Sequence, residues 1–345
     1  MSSNLLKTAV AGLAAMLLGG AAAPALAQGE LNLYSSRHYD TDERLYSNFE
    51  EATGIKINRI EGKADQLIER IRTEGANSPA DVLLTVDAGR LWRADQLGLF
   101  QPVDSDTLEA RIPEHLQHPN NHWFGFSQRA RIIFYDKERV EPRQVATYQS
   151  LADPELEGMV CTRSSGNIYM LSLMASMIEH VGPTLAQDWA EGMWNNRARE
   201  PEGGDTDQLR GIASGQCAIA VSNTYYFARA LRKEVSDLGD EQLAKIGWVF
   251  PNQNSTGSHV NISGAGVLAN APNQENAVRF LEYLASEQAQ EYFSAGNDEY
   301  PAVPGVGLSD SVAQLGLFRQ DTLNLEALGR NQTQAQMIYD LVGYK

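Results

Sequence analysis

Cysteine is almost missing from this chain. Only Cys161 and Cys217 occur in 345 residues, too few for a cysteine-built zinc site or a disulfide scaffold. Positive charge is also scarce, with 28 Lys+Arg against 44 Asp+Glu and a formal net charge of −16. A surface that neutralises phosphates concentrates Lys and Arg, so nucleic acid is a poor partner, and docking on membranes through basic patches is equally disfavoured. Beyond the first 27 residues no apolar run is long enough to span a bilayer. Catalytic signatures are lacking as well: there is no Gly-x-Ser-x-Gly elbow and no His-Glu-x-x-His helix. Gly264-Ala265-Gly266-Val267-Leu268-Ala269 spells a dinucleotide fingerprint, but it runs into a strand instead of opening a helix, so the phosphate-binding geometry is not expected. What remains is an ordinary globular composition, 43% hydrophobic and 21% charged, at a length suiting about two domains of ~150 residues.

The N-terminus has the pattern of an export signal over residues 1–27. Lys7 is the only charge before Glu30, an apolar run follows from Ala9 to Ala23, and Ala25-Leu26-Ala27 supplies the small residues of a cleavage site. Gly12, Gly19, Gly20 and Pro24 interrupt the run, which favours cleavage after Ala27 over a retained anchor. No cysteine stands near that point to take a lipid, so a soluble chain in the periplasm is expected. In that oxidising compartment Cys161 and Cys217 either form one disulfide between adjacent short strands or pack separately as small apolar side chains.

From Leu31 onward strands and helices alternate. Leu31 to Tyr34 alternates with period two, and Asp40-Thr41-Asp42-Glu43 offers a capping box for a helix over Arg44 to Ala52. Further strands are expected at Ile55 to Ile60, Asp81 to Leu84, Ile132 to Tyr135, Met159 to Thr162, Cys217 to Val221 and Gly264 to Leu268. Intervening helices are expected at Ala64 to Thr73, Ile168 to His180, ended by Gly182-Pro183, Tyr225 to Glu234, and Pro272 to Ser286. Repeated βα units imply a mostly parallel sheet covered by helices, here as two α/β lobes with a cleft between them. In such sheets ligands sit beyond the carboxyl ends of the strands, which makes the strand-to-helix turns the informative segments.

Three of those turns carry tyrosine: Tyr39 after the first strand, Tyr169 after Arg163-Ser164-Ser165-Gly166-Asn167, and Tyr225-Tyr226 after Val221 to Thr224. Two readings stand side by side. Clustered rings at a cleft mouth serve as stacking platforms for a sugar, an amine or an aromatic ligand. Alternatively, several phenols lose their protons together only around a hard, highly charged cation, which points to ferric iron, Fe3+, over copper(I) or zinc. Four tyrosinates on a trivalent ion leave one excess negative charge. Arg229, three residues after Tyr226 and four after Tyr225, returns to their helix face as its counterion, unless it is a solvated helix arginine. Arg129 is a weaker second candidate, and His38 offers a ring nitrogen as a fifth ligand. His115, His118 and His122 have metal-like spacing, but Pro113 and Pro119 keep them off a common helix, and the segment reads as a solvated loop.

Over essentially the whole mature chain the sequence resembles the periplasmic iron-binding proteins of ABC-type iron importers, particularly the cyanobacterial FutA-like group. The resemblance rests on Leu33 to Tyr39, Ser78-Pro79-Ala80-Asp81-Val82, Arg163 to Asn167, and above all Ser222-Asn223-Thr224-Tyr225-Tyr226. It implies a class II periplasmic binding protein fold, α/β and two-lobed, that closes on a ferric ion and delivers it as a monomer to an inner-membrane ABC permease. The lobes are expected at 28–130 with 252–300 and at 131–251 with 301–345. Carried over by position, Tyr39, Tyr169, Tyr225 and Tyr226 match the ligands, and His38 matches the histidine of some members; Fe2+ is the second oxidation state to test. Related bacterial ferric-binding proteins place a glutamate after the third strand, where Thr85-Val86-Asp87 stands here with Val86 at the ligand position. That departure favours an all-tyrosine site needing no synergistic anion and casts Asp87 as a helix cap. The rival expectation is a binding protein of the same fold for an organic or anionic solute such as a polyamine, phosphonate or thiamine.

Overall fold

The structure is a computed structural model that describes residues 29–37 and 41–345. The export signal, its cleavage after Ala27, His38 and Tyr39 therefore lie outside the described residues. Among the described residues no helix is long and apolar enough to cross a membrane.

Among the described residues the first elements are β1 (Gly29–Ser35), whose Leu31 and Leu33 are fully buried, and α1 (Asp42–Thr53). Asp40 of the expected capping box lies outside the described residues; α1 starts at Asp42, and the Thr41 hydroxyl donates to Asn297 Oδ1 at 2.6 Å instead of capping its own helix. Then come β2 (Ile55–Glu61), α2 (Ala64–Glu74), which buries Leu67, Ile68 and Ile71 on one face, β3 (Val82–Val86), α3 (Ala88–Gln96) and α4 (Asp106–Arg111). β4 (Phe124–Asp136) is buried along its entire length. The second lobe follows with β5 (Val160–Cys161), α5 (Ile168–Asn195), α6 (Asp205–Ala213), β6 (Ile219–Asn223), α7 (Thr224–Leu231), α8 (Asp240–Lys245) and β7 (Ile246–Val249). β8 (Val260–Val267), α9 (Gln274–Leu284), α10 (Glu287–Asn297) and β9 (Tyr300–Pro301) return to the first lobe, and α11 (Asp310–Leu315), α12 (Glu326–Arg330) and α13 (Gln332–Leu341) complete the chain.

Parallel pairing occurs where βα crossovers link neighbours: β1 with β2 and β3, and β5 with β6. The sheets are otherwise antiparallel, which corrects the mostly parallel expectation. β8 runs antiparallel to β3 and to Phe124–Ala130 of β4, while Arg131–Tyr135 of the same strand pairs antiparallel with β6. The reason is that β4 and β8 carry the chain between lobes, so neither enters its sheet through a local crossover helix. β4 thus changes partners between Ala130 and Arg131, one strand serving two sheets.

Gly264 and Gly266 are explained by packing: a Cβ on Gly264 would meet the Phe124 carbonyl at 2.7 Å, and one on Gly266 would strike the His122 carbonyl and the Phe100 ring. The expected stop at Gly182 is a break within a longer element, since Gly182 (φ 82°, ψ 163°) separates two helical segments of α5. Cys161 and Cys217 are joined in a disulfide with Cα atoms 5.9 Å apart. It closes the end of β5 against the segment leading into β6.

Candidate metal centre

Two helix starts bring the tyrosines together. Asn167 Oδ1 caps α5 by accepting from the Tyr169 amide at 3.1 Å, which fixes Tyr169 in the first turn beyond β5. β6 ends at Asn223, and α7 begins at Thr224, so Tyr225 and Tyr226 occupy the equivalent first turn beyond β6. The Tyr169 and Tyr225 hydroxyls lie 3.2 Å apart. The Tyr225 and Tyr226 rings stack at 4.2 Å between centroids. Tyr225 is buried, whereas Tyr169 and Tyr226 are half-buried.

Tyr169 also faces a cleft of about 610 Å³ whose far wall includes Ser36 at the end of β1, Val86 at the end of β3, and Arg90 on α3. Val86 is therefore in the cleft wall, where it offers no ligand atom. Asp87 faces inward. It caps α3 by accepting from Gly89 N at 2.9 Å, and its carboxylate also receives Ser172 Oγ at 2.9 Å and Asn261 Nδ2 at 2.8 Å. Burial, partly offset by the Gly89 amide, Arg90, the Ser172 hydroxyl and Arg129, raises its pKa.

Four guanidinium groups surround the phenols. Arg229 lies 5.0 Å and Arg129 5.9 Å from the Tyr225 ring centre; Arg163 and Arg131 lie 5.6 Å and 5.8 Å from that of Tyr169. Their charges are not equally committed. Arg129 pairs with buried Glu299 at 2.6 Å, and Arg37 pairs with Glu299 at 3.1 Å and with Asp42 at 3.0 Å, so this group balances two cations against two carboxylates. Burial works against ionisation of Glu299, but Arg129, Arg37 and the Ser127 hydroxyl bring its carboxyl down to about 2. Arg131 and Arg163, in contrast, share the single carboxylate of Asp205 at 2.8 and 2.9 Å. Among the described residues this leaves one more positive charge than carboxylate beside Tyr169. Desolvation opposes the charge of Arg163, yet Asp205 and then Tyr226 and Tyr169 raise its pKa above the ordinary arginine value.

Helical spacing alone points to Arg229 as this cation. Arg131 and Arg163 were missed, although Arg163 opens the turn that leads to Tyr169. The available signal was its position at a strand end, equivalent to that of the tyrosines. The three histidines separate: His118 is buried and its ring stacks on His122 at 4.6 Å, with His115 left out of the pair, so the solvated-loop expectation does not hold for His118.

A cleft between two α/β lobes, with Tyr169 in its wall, Tyr225 against that phenol and arginines around them, is the arrangement of a solute-binding protein. The chain belongs to the bacterial extracellular solute-binding protein family, whose profile matches residues 44–320. Among its relatives it is 50% identical over 319 residues to Iron uptake protein A1 of Synechocystis sp., covering 92% of this chain and 88% of that one. The Major ferric iron-binding protein of Neisseria meningitidis serogroup B is 28% identical over 288 residues, 83% of this chain and 84% of its own. The solved Trichodesmium protein IdiA (FutA), in complex with iron and citrate, superposes with a TM-score of 0.89 at 51% identity, covering 92% of this chain and all of that one.

Proposed function

We propose that this chain binds ferric iron in the interlobe cleft and delivers it to an inner-membrane ABC permease, acting as a periplasmic transport protein without catalysis. The observation that carries the reading is the convergence of Tyr169, Tyr225 and Tyr226, with two phenol oxygens 3.2 Å apart beside an uncompensated guanidinium. Neutral phenols need no surplus cation; phenolates on a trivalent ion do. Iron is the cargo, held as Fe3+ by Tyr169, Tyr225, Tyr226 and Tyr39, with His38 beside Tyr39. The names of the Synechocystis and Neisseria relatives, and the iron in the Trichodesmium structure, support this over an organic or anionic solute. The lobe division at 28–130 with 252–300 and 131–251 with 301–345 is supported by the change of β4 partners at Ala130 and Arg131. Export with cleavage after Ala27 and a monomeric carrier complete the reading.

Loading the purified mature chain with ferric iron at neutral pH, with no added anion, should yield one bound ion and a purple-red phenolate-to-iron charge-transfer band. A colourless, iron-free protein after this treatment refutes the proposal. Tyr226→Phe should shift the band and weaken binding by more than the ~10- to 100-fold typical of losing an outer-shell partner, because it removes a direct ligand. Binding should also weaken as pH falls, since ligation expels phenol protons.

A further inference from the structure

A second cluster of ligand-type side chains lies outside the cleft. Asp95 in the last turn of α3, and His118 and His122 in the turn before β4, bring their ligand atoms within 4.8 Å of one another. His122 Nδ1 lies 2.5 Å from one Asp95 oxygen, and His118 Nε2 lies 3.4 Å from the other. The turn holding the histidines is braced internally. The His118 amide donates to the Trp123 carbonyl at 2.9 Å, the Asn121 amide donates to the His118 carbonyl at 2.9 Å, and Gln117 bridges Phe124. Buried Trp123 supports the His118 ring edge-on at 5.7 Å. The two imidazole planes are 3° from parallel, so the partly exposed His122 ring must turn out of the stack for both in-plane lone pairs to meet one ion. Asp95 and His118 are mostly covered, but His122 keeps 26% of its side chain exposed, so the cluster is closed on the protein side and open to solvent on the other.

We propose that Asp95, His118 and His122 bind one borderline divalent ion of the Zn2+ class. Two imidazole nitrogens and one carboxylate oxygen are three of the four ligands such an ion takes, and the open side leaves room for water as the fourth. This donor set is unsuited to ferric iron, whose hard oxygen donors lie in the cleft. The two sites are also apart: α3 begins at the cleft-side Asp87 and reaches Asp95 about 12 Å further along its axis, at 1.5 Å per residue.

The protons balance without a net release. With the N–H tautomers that point at Asp95 in the metal-free protein, loading moves each proton through solvent to the other ring nitrogen. For His122 the receiving Nε2 is the end away from Asp95. For His118 it is Nδ1, which accepts from the Asn120 amide at 3.1 Å, so metal binding must break that hydrogen bond. Faster exchange of the Asn120 amide on loading is thus a signature of this geometry.

The test is a Zn2+ titration, by calorimetry and by competition with a chromogenic chelator, on untagged mature protein already loaded with one Fe3+. One equivalent should bind, and both Asp95→Asn and His122→Ala should weaken it at least about tenfold while leaving the iron charge-transfer band unchanged. His122 is partly exposed, so His122→Ala keeps the test interpretable should Asp95→Asn fail to fold. The Tyr225→Phe/Tyr226→Phe protein, run without iron, should retain the Zn2+ equivalent, which separates this site from the iron reading. Absence of a saturable equivalent, unchanged affinity in both Asp95→Asn and His122→Ala, or loss of Zn2+ with the tyrosine pair overturns the proposal.

Discussion

At Tyr169 the decisive quantity is a difference of one charge. Arg131 and Arg163 both bind Asp205, and together they offer the surplus cation that the proposed site of four tyrosinates on a trivalent ion would require. Arg163 is the partner to remove, because Arg131 remains paired with Asp205 and is further anchored by Asn223 Oδ1 at 2.9 Å. Arg163→Gln should therefore leave the fold intact and the charge-transfer band in place, yet weaken ferric binding by about 10- to 100-fold, the usual cost of an outer-shell partner. A titration against a competing chelator measures it, and unchanged affinity would return the counterion role to Arg229. The sequence allowed the need for a cation to be calculated but not its source. Spacing along one helix is visible in a sequence, whereas the approach of Arg163 to Tyr226 depends on β5 lying beside β6.

Between elements, buried Glu299 ties several strands at one point. Arg37 follows β1, Arg129 and Ser127 lie on β4, and the Ser263 hydroxyl on β8 takes hydrogen bonds from both arginines. Glu299→Gln removes the carboxylate and leaves two buried guanidinium groups short of an anion, a change that typically costs about 3–5 kcal/mol. The pH dependence has a definite sign. A carboxyl lowered to about 2 in the folded chain contributes its full stability above the unfolded value of ~4.3 and loses it as pH falls through 2. Unfolding midpoints in urea between pH 6 and 2 should fall more steeply for the natural chain than for Glu299→Gln. Element by element, β1, α2 and β3 were readable because their apolar spacing is local. The full length of β4 was not, since its first half holds Ser127, Gln128 and Arg129, buried polar residues whose side chains bond to Glu299, Pro301 and Ser263 far along the chain. The direction of β8 was hidden for a related reason: return from the other lobe leaves no periodicity in the strand itself.

Across the whole molecule, the carboxylate of Asp87 ties the β3–α3 junction to α5. It belongs to the β3–α3 junction, while its donor Ser172 lies on α5 one turn beyond Tyr169, so the tie and a proposed ligand ride the same helix. The capping role of Asp87 was legible from its place before α3; its bond to Ser172 joins residues 85 positions apart and was not. Moving Tyr169 away from the wall formed by Ser36 and Val86 moves Ser172 away from Asp87 as well. This arrangement is therefore stabilised by a hydrogen bond to a buried carboxylate, of the kind worth about 1.5–3 kcal/mol. Ser172→Ala removes only that hydroxyl, and Asp87 keeps Gly89 and Asn261 as donors. If the tie holds the lobes shut, Ser172→Ala should accelerate iron release to a chelator by about tenfold or more, since 1.4 kcal/mol corresponds to one decade. The same change should shift the iron-free protein toward a larger radius of gyration in solution scattering. Ser172→Thr keeps a hydroxyl and should release iron at close to the natural rate, which separates loss of the hydrogen bond from disturbance of α5. A release rate for Ser172→Ala within twofold of the natural chain, with no change in scattering, would place the closing energy elsewhere in the interface.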